Sequence, residues 1–104
     1  MAVELTSSQR ALLRSRARSM PAGVIVGKGG AGESVLNHVR VQLARRELVK
    51  LRWLDTAAEQ PRAAAERLAQ QFGAAVVDVV GRVVVLYKPG DHLPPQKRLK
   101  LPRR

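Results

Sequence analysis

The period of the apolar positions along this chain alternates between helical and extended, and turn residues stand where it changes. Thr6-Ser-Ser-Gln9 has the spacing of a capping box, with Thr6 as N-cap and Gln9 reaching back. It predicts a helix from about Ser7 to Arg18, with Leu12, Leu13 and Arg16 around its inner side. Met20-Pro-Ala-Gly23 ends that helix: proline disfavours helical backbone before it, and glycine permits a tight reversal. Val24-Ile-Val26 reads as a short strand. A second helix is predicted from about Ser34, as its N-cap, to Arg45. Val35, Leu36, Val39 and Leu43 form its apolar stripe. Glu47–Leu54 alternates as a strand, with Val49, Leu51 and Trp53 on one side and Leu48, Lys50, Arg52 and Leu54 on the other. A third helix spans about Glu59 to Gln71, with Pro61 in its first turn, Ala64, Leu68 and Phe72 on its buried side and Gly73 just past its end. Two β-branched runs, Ala74–Val80 and Arg82–Lys88, flank Gly81 as a hairpin.

The resulting order is α-β-α-β-α-β-β. Two βαβ units imply parallel pairing with right-handed crossovers. Crossovers that move the same way put helices two and three on one face of the sheet and leave helix one to cover part of the other. Composition narrows the core. Of 104 residues 45% are apolar, but only Trp53, Phe72 and Tyr87 are aromatic, so the core is aliphatic and Trp53 and Tyr87 are assigned to it. The absence of cysteine excludes disulfides and thiolate metal sites and fits a cytoplasmic protein. No apolar run reaches the roughly 18–20 residues of a membrane span. Met1–Ser8 lacks the basic and apolar regions of a secretion signal. Residues 1–89 are expected to form one domain. Residues 90–104 form a basic, proline-containing tail, expected to stay extended or disordered until bound.

Charge changes the picture most. The net charge is +11, the footprint of a polyanion binder. Residues 1–53 carry ten Lys or Arg against three acids, residues 54–91 four against five, and residues 92–104 five against none. Arg10, Arg14 and Arg18 recur every four residues, one stripe on the first helix. Between strand and helix lies Gly27-Lys28-Gly29-Gly30-Ala31-Gly32, where exposed N–H groups and a helix N-terminus suit phosphate. As G-x-G-x-x-G, with Asp55 ending the next strand, it matches a dinucleotide site. A single mononucleotide half with no catalytic domain, and a charge that such a cofactor does not need, count against that. As G-x-x-G, Gly27–Gly30 is the loop that clamps nucleic-acid backbone in KH-type modules, with Lys28 on one phosphate. A third possibility is an anionic membrane or acidic protein. Few free aromatics argue against a base-stacking platform, so binding is expected to rest on phosphate and shape.

Gly27-Lys28-Gly29-Gly30, Val35-Leu36, Arg46-Glu-Leu-Val-Lys-Leu51 and Val80-Gly-Arg-Val-Val-Val-Leu-Tyr-Lys-Pro89, in this order and spacing, resemble the CRM domain family, whose stand-alone bacterial members are YhbY-like. The resemblance implies an α/β fold like the C-terminal domain of translation initiation factor three. Its mixed, four-stranded sheet has the last strand antiparallel and set between the second and third. It also implies RNA binding, with bacterial members on precursors of the large ribosomal subunit and plant relatives in intron splicing. Two positions depart: Gly32 stands where a threonine is usual, and Arg46 where histidine precedes Glu-Leu. Other chemistry is sparse. His38 and His92 lack metal-ligand company, Glu47 and Asp55 flank a strand without a pocket for acid–base work, and no serine has a paired base. The expectation is a non-catalytic RNA-binding monomer that uses no cofactor or metal and takes ribosomal RNA as partner. Its candidate contacts are Gly27, Lys28, Gly29, Gly30, Arg10, Arg14, Arg18, Lys50 and Arg52.

Overall fold

The capping box forms. In the computed structural model, which describes residues 3–102, the Gln9 amide donates to Thr6 Oγ1 at 3.2 Å and the Thr6 amide to Gln9 Oε1 at 3.0 Å. Helix α1 runs Ser7–Arg18 behind it, followed by β1 Val24–Val26, α2 Glu33–Arg46, β2 Leu48–Trp53, α3 Pro61–Phe72, β3 Ala75–Val80 and β4 Val83–Tyr87. Met1 and Ala2, where the search for a secretion signal begins, and Arg103 and Arg104, the end of the basic tail, lie outside the described residues. Among the described residues no helix is long and apolar enough to cross a membrane.

The four strands stand in the order β1-β2-β4-β3, with β1 and β2 parallel and β4 antiparallel to both its neighbours. This is the mixed sheet that the family resemblance implies. Val24, Val26, Val49, Leu51, Trp53, Val84 and Leu86 project from one face and pack under α2 and α3, which supply Val39, Leu43, Ala64, Leu68 and Phe72. Burial of each large aliphatic side chain there contributes about 1.5–3 kcal/mol. The other face is covered in part. Leu48, Val77, Val85 and Tyr87 lie under Leu13 and Ala17 of α1.

The structure departs from the expected details in three places. The inner side of α1 is Leu13 and Ala17, while Arg16 is exposed; an i, i+4 pair of small and medium apolar residues sits lower on the sheet than an arginine could. The N-cap of α2 is Gly32, with no side-chain cap, and Ser34 is an exposed residue inside the first turn. The tail, finally, is docked. Its Leu99 and Leu101 pack on the α1 side of the sheet, and Gln9 Nε2 donates to the Pro102 carbonyl at 2.8 Å. Residues two apart in extended chain share a side, so both leucines reach the patch that α1 leaves open.

Glu47 holds the tail in place. It ends α2 in the left-handed conformation, φ 64°, and is 2% exposed. Its carboxylate accepts the Gly90 N–H at 2.6 Å and the Leu99 N–H at 2.5 Å. Its own N–H reaches Leu43 O, and its carbonyl accepts from the Lys88 N–H at 2.8 Å. A buried carboxylate is tolerated because both its oxygens are hydrogen-bonded. Glu47→Ala is expected to cost about 3 kcal/mol, since it orphans two amides, and to free residues 90–102. Denaturant melting and amide exchange at Gly90 and Leu99 measure the two effects.

Burial, aided by the Glu47 carboxylate and then by Asp91, pushes the Tyr87 phenol from 10.0 up to about 12. The folded chain therefore keeps this proton longer than the unfolded one does. The associated stability is whole below pH 10 and is lost between pH 10 and about 12. Tyr87→Phe is expected to flatten the loss of stability across that window, as read from denaturant melts at stepped pH.

Candidate nucleic-acid interface

The glycine segment closes on itself at Gly30. The Gly30 N–H donates to the Gly27 carbonyl at 2.9 Å, so Gly27–Gly30 is a four-residue turn with Lys28 exposed at its tip. Gly30 has φ 72°, which an L side chain resists. Around Gly29, Gly30 and Gly32 a Cβ would meet nothing within 4 Å, so this side of the turn is open space. The turn is seated by the residue that follows β2: the Leu54 N–H donates to Val26 O at 2.8 Å, and the Leu54 side chain lies 3.7 Å from where a Cβ on Gly27 would stand. Gly32 falls outside the turn as the uncapped start of α2, whose first intrahelical bond runs from the Leu36 N–H to Gly32 O. The chain thus folds the tetrapeptide pattern as a unit, and the longer dinucleotide pattern is not built as one. Asp55, the acid that pattern requires, is 97% exposed and 3.4 Å from Arg82.

The structure sorts the cations by occupation. Lys50 Nζ donates to the carbonyls of Ala17 and Met20, both at 3.0 Å, and so ties the C-terminal end of α1 to the sheet. Arg10 Nη1 donates to the carbonyls of Val76 and Val77 on the edge strand β3. Arg82 donates to the carbonyls of Trp53 at 3.1 Å and Leu54 at 2.8 Å. These three satisfy backbone. Arg10 and Lys50 were candidates for ligand contact on their charge, and the structure gives both an internal task. Lys28, Arg18 and Arg52 are exposed, and Arg14 has no partner at its buried Nε. These four donate to no backbone carbonyl and belong to the free basic surface, as do the exposed tail residues Lys97 and Lys100, whereas Arg98 donates to the carbonyls of Leu93 at 2.8 Å and Asp91 at 2.7 Å.

Partial cover by α1 was expected from the crossovers, but which row of the sheet it leaves bare was not legible in the sequence. Ile25 pairs with Arg52, Arg52 with Val83 and Val83 with Val80, a row that crosses all four strands. Ile25 is 43% and Val80 63% exposed. The row lies at the C-terminal ends of β1 and β2, the end from which the glycine turn springs. Beside it Arg14, Ala17, Arg18, Lys50, Asp78, Val80, Val83 and Val85 line a groove of about 590 Å³ between α1 and the sheet. Trp53 and Tyr87 are 1% and 5% exposed, in the core where they were assigned. Among the described residues no three His, Cys, Asp or Glu gather as a metal site. Glu47 and Asp55 stand beyond opposite ends of β2 and form no acid–base pair.

Residues 5–88 match the family model of the CRS1 / YhbY (CRM) domain. The chain belongs to that family. This CRM domain is 32% identical over 98 residues to the Bacillus subtilis protein named "Probable RNA-binding protein YqeI", covering 94% of this chain and 99% of that one. It is 38% identical over 90 residues to "Probable RNA-binding protein MJ0652" of Methanocaldococcus jannaschii, covering 85% and 66%. The solution structure of protein SAV1595 from Staphylococcus aureus superposes with a TM-score of 0.75 at 28% identity, over 95% of this chain and all of that one.

The division of the cations in this CRM domain is testable without a ligand. Lys50→Ala removes the anchor of α1 and is expected to cost about 1–3 kcal/mol. Arg52→Ala, on the same strand face but exposed, is expected to stay within about 0.5 kcal/mol. Thermal melts of the two variants make the comparison.

Proposed function

We propose that this CRM domain is a non-catalytic RNA-binding module that grips the phosphate backbone with the Gly27–Gly30 turn, the start of α2 and the cations Arg14, Arg18 and Arg52. The single observation that carries it is Lys28, exposed at the tip of a glycine turn that adjoins the bare basic face of the sheet. The turn lets a sugar-phosphate chain approach without side chains in the way, and Lys28 neutralises one phosphate. The uncapped amides at the start of α2 add donors of favourable dipole. Relatives named as RNA-binding proteins support the polymer as partner. The resemblance noted above supports ribosomal RNA of the large-subunit precursor as the particular client.

Such a grip works by releasing counterions, so affinity falls with salt. The log–log slope is expected at roughly −0.7 to −0.9 per phosphate engaged. Lys28→Ala is expected to weaken binding across all RNA sequences and make the slope shallower by about one. Fluorescence anisotropy across a salt series checks both; a flat salt response rules out the mechanism, and an unchanged Lys28→Ala removes the turn from the site. Cross-linking in cells, with sequencing of the bound RNA, identifies the client.

A further inference from the structure

The hairpin is uneven: β3 has six residues and β4 five. The extra residue is accommodated as a bulge. Val76 pairs with Leu86 and Asp78 with Val85, so Val77 has no partner of its own. Val77 and Asp78 consequently face the same side, and every later residue of β3 is turned over relative to strict alternation. Without the bulge Asp78 would point under α3, into apolar core. With it, Asp78 lines the groove beside Arg14 and Arg18. Arg10 holds the bulge by donating to the carbonyls of Val76 and Val77.

An acid in a groove of cations is expected to pair with one of them. Among the described residues, the Asp78 carboxylate has no hydrogen-bond or ion-pair partner, and Arg14 Nε is buried and equally unpartnered. An acceptor that takes two donors and a donor fork thus share one groove without satisfying each other. The floor between them is aliphatic, Val80, Val83 and Val85. Its volume of about 590 Å³ lies within the roughly 300–1,000 Å³ of pockets that enclose small ligands.

We propose that this groove takes one unpaired guanine of the bound RNA, with Asp78 accepting from N1–H and the N2 amino group and Arg14 donating to O6. Guanine alone among the four bases presents two adjacent donors and then an acceptor on its Watson–Crick edge. Uracil and cytosine would set ring or carbonyl lone pairs against the carboxylate, and adenine offers a single amino group there. The valines pack against the base, and the exposed Arg52 beside them offers a guanidinium plane for stacking. Pairing would hide that edge, so the subsite selects single strand. A purely electrostatic grip gains nothing from Asp78, which repels phosphate; base recognition gives it a task.

The inference rests on the RNA-binding function proposed above, and one experiment separates the two. Short uridine strands with one central guanosine, inosine or adenosine are titrated into wild-type protein and Asp78→Asn by fluorescence anisotropy. Wild type is expected to prefer guanosine over adenosine by about tenfold, with inosine, which lacks the N2 amino group, in between. Asp78→Asn is expected to lose that preference while binding the adenosine strand more tightly than wild type, because a negative charge has gone. Equal affinity of wild type for all three strands overturns the guanine subsite and leaves backbone binding standing. No binding to any strand overturns both. Where Asp78→Asn has a lowered melting temperature and loses all strands alike, the wild-type series decides: guanosine over inosine over adenosine supports the subsite, and equal affinity overturns it.

Discussion

A sheet with two apolar faces needs cover on both, and this chain has two helices for one face and one for the other. The imbalance follows from the two crossovers. Both run in the same sense across parallel strands, so right-handed connection sends α2 and α3 to the same side. Helix α1, only 12 residues long, is left to cover four strands. It covers the end around Leu48, Val85 and Tyr87 and leaves the row from Ile25 to Val80 bare. The C-terminal tail makes up part of the deficit with Leu99 and Leu101, held by the buried carboxylate of Glu47. The bare remainder adjoins the glycine turn, so the shortage of cover leaves exposed the surface proposed to receive RNA.

Charge in this protein serves two ends that composition cannot distinguish. Arg10, Lys50 and Arg82 donate to backbone carbonyls at a bulge, at a helix terminus and at the end of a strand. Each satisfies an acceptor that secondary structure leaves open. Lys28, Arg14, Arg18 and Arg52 have no such internal task. The basic excess of the first half therefore overstates the surface available to a polyanion, and the docked tail, with Lys97 and Lys100 exposed, restores part of it.

The order and nature of the elements were legible because each rests on local physics. Thr6 and Gln9 cap a helix wherever they stand at that spacing, Pro61 suits a first turn, and Gly73 and Gly81 take positive φ at a helix end and in a hairpin. Alternation in Leu48–Trp53 assigned the two faces of β2 correctly. The glycine turn and exposed Lys28 were legible for the same reason: a four-residue turn is closed by its own backbone. The face of α1 was read less well, because Leu13 and Ala17 are chosen by the sheet beneath them and not by the helix alone.

What the sequence by itself determined is thus the set of elements, the glycine turn with Lys28 at its tip and the excess of positive charge, all read from the residues and their local spacing. What only the tertiary structure decided is which charges are free, where the tail goes and which way β3 faces after Val77. Glu47 meets Gly90 and Leu99, Lys50 meets Ala17 and Arg10 meets Val76 across 30 residues or more. No period or local spacing encodes such meetings. The bulge that carries Asp78 out of the core is decided by pairing with β4, and a register belongs to two strands, not to either one.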